Sequence, residues 1–362
     1  MKRENNLDLL RVIACIMVIS IHVSAFFVTK YIDTPNIKFT IGNFYDSFTR
    51  TAVPIFVLLS GRFALSDNKN IEIRYYYKKV WKRIFVPTLV WSILYFLFNY
   101  SLEIAYFFLY GEFKHSIFSP IKAWIIGAPY YHMWYLYMSI GLYLSVPYLL
   151  KIKTKIGEKN FLKIGILFFI LGFIIYLFEN FLNYINFYDR NNIFKYLKYF
   201  WYFNQFKFVQ YLGYFILGYS LKNLKSKCIN FKNMLFSTLI TTIGLFLTVE
   251  YVARIKIMTD AVTFYSNNFI FVMASAVMLY LAFDKLNSER IKYNFSHLAF
   301  HSFNIYLIHA GVLSIITIFL EKILNYEPNP IWYIPFAIFL VFIISYIFSL
   351  LLERILKKIK NK

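Results

Sequence analysis

Residues 6–24 read NLDLLRVIACIMVISIHVS, an apolar run interrupted by Arg11 and His22. Ionisable side chains are costly in lipid, by about 3 kcal/mol for a central arginine on insertion scales, so two of them in one segment point to a site. At 100° per residue their spacing comes to about three full turns, which places both side chains on one helix face, roughly 16 Å apart along the axis. The segment predicts a membrane helix with a charged group near one surface and a titratable group deeper in the bilayer.

The rest of the chain has the composition of a polytopic membrane protein. Of 362 residues, 59% are hydrophobic and only 16% are charged, well below the roughly 25% of soluble domains. We therefore predict an all-α integral membrane protein with one membrane-embedded domain over 1–362, about ten transmembrane helices and no separate soluble domain. Runs long enough to cross the hydrocarbon core lie near 8–28, 44–66, 84–102, 134–150, 162–178, 206–221, 233–251, 267–283, 300–320 and 331–353.

Lysine and arginine are concentrated in alternate connecting segments, and they give the chain its net charge of +21. Loops rich in these residues stay in the cytoplasm. The pattern predicts cytoplasmic N- and C-termini and an even number of spans. Because the cations form short clusters between apolar runs, the charge indicates membrane topology, and we expect no nucleic-acid partner.

His22 is the strongest catalytic candidate. A buried imidazole is favoured in its neutral form and can accept a proton from a hydroxyl nucleophile; the alternative is a histidine hydrogen-bonded to a neighbouring helix. Asp8, a candidate for substrate binding, lies one turn before Arg11, and this spacing allows an ion pair. The Arg11 guanidinium suits a phosphate-bearing ligand, or it extends to the inner surface with its stem in lipid.

Further candidates for substrate binding lie in spans two, four and nine and in the connection between spans two and three. Ser60 and Gly61 allow close approach of a ligand or, more commonly, of a neighbouring helix. The basic connection can hold a polyphosphate or anionic lipid, or it simply marks the cytoplasmic side. No metal-ligand spacing, P-loop or dinucleotide fingerprint is present. The candidates are Arg50, Ser60, Gly61, Lys79, Lys82, Arg83, His132, Trp134, Tyr306 and His309, of which His309 can face the same cavity as His22.

Taken in order, these segments resemble the acyltransferase-3 family of bacterial integral membrane acyltransferases, over about residues 3–350. The chain departs from the family's usual motifs at two places. Lys79 and Lys82 stand where the family often has Arg-x-x-Arg, and Arg62 follows Ser60-Gly61 where the family usually has an aromatic residue. The matching features are the Arg11 and His22 pair, 53–56 with Ser60 and Gly61, the basic residues up to Arg83 with Pro87, 132–136, the region of Gly213 and Gly218, and 305–309.

The resemblance implies a membrane O-acyltransferase that uses cytoplasmic acyl-CoA as its donor and a cell-surface glycan as its acceptor. It implies transfer of an acyl group, usually acetyl, to an extracytoplasmic hydroxyl, in the bacterial cytoplasmic membrane and without a permanently bound cofactor. His22 would be the essential histidine and Arg11 its paired arginine. Arg11, Lys79, Lys82 and Arg83 would hold the CoA phosphates. The aromatic loops 103–133 and 179–205 would bind the glycan, or they form aromatic belts at the membrane interface. The alternative function is a transporter or flippase for a lipid-linked glycan or organic anion.

Overall fold

A computed structural model describes residues 4–111, 118–188, 204–224, 228–255, 260–320 and 327–360. The regular elements in these ranges are helices, with short 3₁₀ and π turns between some of them. They are α1 Asn5–Tyr31, α2 Ile37–Thr49, α3 Ala52–Ala64, α4 Ile73–Val80, α5 Val86–Tyr110, α6 Ser119–Ile125, α7 Trp134–Tyr188, α8 Phe208–Ser220, α9 Phe231–Ile255, α10 Ile270–Lys285, α11 Ser296–Ile318 and α12 Pro330–Lys360.

Within the described ranges, 7 helical stretches are long and apolar enough to cross a membrane. This confirms the prediction of an all-helical chain with several apolar helices; the count of ten spans and the orientation of the termini stay predictions. The stretches are Asn5–Tyr31, Ile73–Phe108, Trp134–Asn183, Phe231–Ile255, Ala261–Lys285, Ser296–Ile318 and Pro330–Lys358.

The helix predicted over 44–66 is interrupted, and it starts earlier than expected. The Asn36 side chain accepts hydrogen bonds from two backbone N–H groups and so begins α2 at Ile37, as a good N-cap does. The helix stops at Thr49 and resumes at Ala52. Pro54 explains the break, because its ring lacks an N–H and clashes with the carbonyl four residues earlier, that of Arg50.

Proline also shapes the start of the third predicted span. α4 continues into α5 through a π turn at Trp81–Phe85, in which the N–H of Val86 donates to the Trp81 carbonyl. Pro87 has no N–H for the carbonyl four residues before it, so a wider turn at this point costs little. The span predicted at 84–102 is therefore part of a helical stretch that begins at Ile73.

The two spans predicted at 134–150 and 162–178 lie in one 55-residue helical stretch, α7, whose backbone leaves helical geometry at Gly157 with φ 77°. Glycine tolerates this left-handed region without strain. Residues on both sides of Gly157 contact Tyr219. The Lys153 ammonium lies 4.3 Å from the centre of the Tyr219 ring, and the Tyr219 hydroxyl donates a hydrogen bond to Glu158 at 2.7 Å.

Residues far from Gly157 on either side of it in α7 contact the N-terminal end of α8. Trp134 packs against Tyr211 with ring centres 5.9 Å apart. Gln210 donates a hydrogen bond to Glu179 at 2.6 Å. The first half of α7 therefore runs parallel to α8 and the second half antiparallel, so the chain reverses direction at Gly157.

The chain divides into two compact units, one formed by Met1–Leu59 with Asn223–Lys362 and the other by Ser60–Lys222. The division describes packing and leaves the single membrane domain a prediction. In the first unit, α1, α2 and α9–α12 form the helical core. In the second unit, α8 packs along both halves of α7, and the helix end that carries Ser60 and Gly61 packs on α8.

Gly61 allows α3 to touch the backbone of α8. A Cβ at this position would lie 1.7 Å from the carbonyl oxygen of Phe215, so α3 and α8 would have to move apart. We expect Gly61→Ala to lower the melting temperature of the detergent-purified protein. Its free energy of unfolding should fall by about 1–3 kcal/mol. The matched control is Gly244→Ala in α9, whose Cβ would meet only the Phe271 ring at 3.1 Å. Equal melting temperatures for the two variants would contradict the packing role of Gly61.

Candidate active site

His22 and His309 form a stacked pair in the first unit. Their ring centres lie 5.3 Å apart and their planes differ by 24°. The Cys15 thiol donates a hydrogen bond to the Ser302 carbonyl at 3.7 Å, and each histidine lies two turns further along its helix. The two helices, α1 and α11, therefore run parallel. The predicted neighbour of His22 is thus brought to it by helix packing. His309 is fully buried, whereas His22 is partly accessible.

The backbone fixes the His309 tautomer. Its Nδ1 lies 2.6 Å from the carbonyl oxygen of Tyr306, and because a carbonyl only accepts hydrogen bonds, Nδ1 carries the proton. In the neutral ring Nε2 is then the acceptor atom. Tyr306 contributes this carbonyl, and its ring centre lies 5.6 Å from that of His309. The pairing holds His309 in one orientation against His22.

Arg50 lies close enough to His22 for an electrostatic interaction. The Arg50 guanidinium donates a hydrogen bond from Nη2 to Asp46 Oδ2 at 2.8 Å, and its Nε forms an ion pair with Asp46 Oδ1. Asp46 is fully buried, and the Tyr265 ring lies 4.2 Å from the guanidinium carbon. The charge-assisted hydrogen bond, the ion pair and the cation–π contact together give Arg50 a fixed position. With 21% of its side chain exposed, Arg50 remains accessible to a ligand.

A network of hydrogen bonds holds the Tyr265 side chain that contacts Arg50. The Tyr265 hydroxyl donates to Asn43 Oδ1 at 2.7 Å, and Asn43 Nδ2 donates to Glu250 at 2.9 Å. Sequence reasoning missed all of these residues. The i, i+4 spacing of Asp46 and Arg50 was a readable signal for their ion pair, but Tyr265 and Glu250 reach the site from distant helical segments and carry no local signal.

Arg11 lies nearer than His22 to the N-terminal end of α1. Its guanidinium pairs with Asp8 at 4.0 Å, as the spacing predicted, and 28% of the arginine side chain is exposed. His22 lies three turns further along, roughly 16 Å by helix geometry. The two residues share a face of α1 but are too far apart to contact the same small group.

The basic candidates between spans two and three belong to the second unit. Lys79 lies 3.8 Å from Asp67 and donates to Asn70 at 3.3 Å. Lys82 and Arg83 are exposed in the π turn. A set of cations on one helical stretch suits phosphate groups.

The remaining candidates in the second unit all contact neighbouring side chains, and their role in substrate binding stays a prediction. His132 is buried, with its ring edge-on to Tyr95 at 4.8 Å. Trp134 lies against α8 and under the Lys207 ammonium at 5.8 Å. Ser60 accepts a hydrogen bond from the Tyr143 hydroxyl at 3.0 Å. Of the aromatic loops predicted to bind glycan, the parts at 112–117 and 189–203 lie outside the described residues.

The arrangement around His22 can carry out acid–base chemistry on an uncharged substrate group. A neutral imidazole accepts a proton, and a fixed guanidinium stabilises negative charge that develops beside it. Among the residues that the structure describes, no three His, Cys, Asp or Glu side chains are grouped so that they could hold a metal ion.

Comparison with known proteins identifies the family. The model of the acyltransferase-3 family, described as an acyltransferase domain, matches residues 4–350, which include both histidines, Arg50 and nearly all the helices. No curated protein and no solved structure matches the chain. The match confirms the resemblance drawn from the sequence motifs. The chain therefore belongs to the acyltransferase-3 family of membrane acyltransferases.

Proposed function

We propose that this protein is an O-acyltransferase of the bacterial cytoplasmic membrane that transfers an acetyl group from cytoplasmic acetyl-CoA to a hydroxyl of an extracytoplasmic glycan. Family membership supports acyl transfer. The single observation that supports the assignment of the chemistry to named residues is the stacked pair of His22 and His309 within electrostatic range of Arg50, an ion-paired cation.

In the proposed reaction, His22 accepts the proton of the acceptor hydroxyl while the hydroxyl oxygen attacks the thioester carbonyl carbon. A tetrahedral intermediate forms with negative charge on the former carbonyl oxygen, and the Arg50 guanidinium stabilises that charge. The C–S bond then breaks, and the CoA sulfur leaves with the proton that His22 had taken. The products are the acetyl ester and free CoA, and His22 is again neutral.

His309 is a positioning residue in this scheme. Its own ring is held by the Tyr306 carbonyl, and its stacking limits rotation of the His22 ring. Holding a base in its productive orientation reduces the entropy that the reaction must otherwise lose.

The CoA phosphates are the ligand that we propose for the basic segment with Lys79, Lys82 and Arg83. Two of these cations are exposed, and CoA carries several phosphate charges. Ordinary positive-inside marking accounts for the charge alone, so neutralising these residues should raise the KM for acetyl-CoA if the proposal is right.

Mass spectrometry of surface glycans from cells with and without this protein tests the proposed function. We expect one acetyl increment per modified residue in cells that have it, and mild alkali should remove the increment because it cleaves esters. Glycans of unchanged mass, together with reduced surface glycan in cells that lack the protein, would overturn the proposal in favour of a carrier.

A further inference from the structure

A cavity of about 740 Å³ lies between α11 and α12 in the first unit. Its lining is almost entirely aliphatic and aromatic, and two of the aromatic side chains, Trp332 and Phe336, are largely exposed. We name this cavity the α11–α12 groove. Its principal lining residues are Ile316, Phe319, Trp332, Tyr333, Phe336 and Leu340.

The groove begins within two helical turns of His309 along α11. Ile315 lines it six residues after His309 on the same helix, about 9 Å along the axis. On its other side, the Tyr333 ring contacts Phe27 edge-on with centres 6.0 Å apart, and Phe27 follows His22 by little more than one turn of α1. Measured along the helix axes, a ligand in the groove would therefore lie within about two turns of the level of the histidine pair.

Cations lie at one end of the groove. Pro328 lines it, and the adjacent Glu327 carboxylate meets two ammonium groups, those of Lys30 at 3.2 Å and Lys38 at 3.1 Å. Both lysines contact the same Glu327 oxygen. Asp33, in the connection between α1 and α2, makes no ion pair with a described residue. Two cations on one carboxylate leave positive charge to attract a phosphate group.

We propose that the α11–α12 groove holds the chain of a lipid phosphate, that Lys30 and Lys38 bind its phosphate, and that this lipid carries the acceptor glycan. The inference rests on the proposed function. An apolar groove with cations at one end matches an apolar chain with an anionic end. Lys30 lies eight residues beyond His22, about 12 Å along α1, a gap that the first sugars attached to the phosphate would fill.

Binding of three probes to the detergent-purified protein tests the groove: a polyprenyl phosphate, the polyprenol of the same length and inorganic phosphate. We expect the lipid phosphate to bind about tenfold more tightly than the alcohol, with inorganic phosphate weakest. In Lys30→Gln/Lys38→Gln the preference for phosphate should disappear, whereas Leu340→Trp should weaken both lipids by filling the groove. The matched control Lys232→Gln/Lys292→Gln removes two exposed lysines elsewhere in this unit and should retain the preference.

Equal binding of the lipid phosphate and the alcohol by the wild-type protein would overturn the inference, as would an unchanged preference in Lys30→Gln/Lys38→Gln at an unchanged melting temperature. Failure of the proposed function is separable. Acetyl transfer to a glycan by a protein without lipid selectivity would reject only the groove, and selective binding without any acetyl transfer would reject only the acyltransferase activity.

Discussion

Replacing His22 by alanine is expected to lower the rate of acetyl transfer about 10²–10⁴-fold, the usual contribution of a general base, with little change in melting temperature. Alanine cannot accept the proton of the acceptor hydroxyl. The imidazole is partly accessible in the interior of the first unit, so its removal disturbs less packing than the loss of a core residue. Transfer is measured as release of free CoA by membranes that contain equal amounts of each variant.

The matched control for this prediction is His297→Ala. His297 lies on α11, the helix of His309, but is exposed and contacts Tyr346 instead of the pair. We expect its activity to stay close to that of the wild type. A His22→Ala variant as active as His297→Ala would show that His22 is not the base.

Replacing Asp46 by alanine should destabilise the protein by about 3 kcal/mol, because it leaves the Arg50 charge without its buried partner. Asp46 is fully buried, and only 21% of the Arg50 side chain is exposed. Unfolding by denaturant in a fixed detergent measures the loss.

A double-mutant cycle with Arg50→Ala tests the cause of this destabilisation. If the unpaired charge is responsible, Asp46→Ala/Arg50→Ala should be more stable than Asp46→Ala alone. A double variant that is less stable than the single one by the full cost of Arg50→Ala would contradict the ion-pair explanation. Both variants that lack Arg50 should also transfer acetyl slowly, since the cation beside His22 is gone.

The sequence carried much of the helical architecture because its signals are local. Apolar runs and the spacing of Arg11, Asp8 and His22 require only helix geometry, and the Asp8 and Arg11 ion pair is present as that geometry predicts. The break before Pro54 was also a local signal, since proline excludes the carbonyl of Arg50, but the prediction of one continuous span overlooked it.

The surroundings of Arg50 and His22 depend on tertiary packing. Tyr265 reaches Arg50 from a 3₁₀ turn more than two hundred residues away, and His309 meets His22 because α1 and α11 pack in parallel. A single sequence gives the residue types but not which helices are neighbours. For this reason His309 could be singled out by its position in an apolar span, whereas Asn43, Tyr265 and Glu250 could not.

The central claim is that an acyl group passes from CoA to a hydroxyl, with His22 as the base. Sealed inverted vesicles, supplied with labelled acetyl-CoA on their outer, originally cytoplasmic face, test it most directly. We expect labelled acetyl ester in the vesicle lumen in equal amount to the free CoA released outside, and both products formed about 10²–10⁴-fold more slowly with His22→Ala. Acceptor glycan that crosses the membrane without an ester, and without release of CoA, would contradict it.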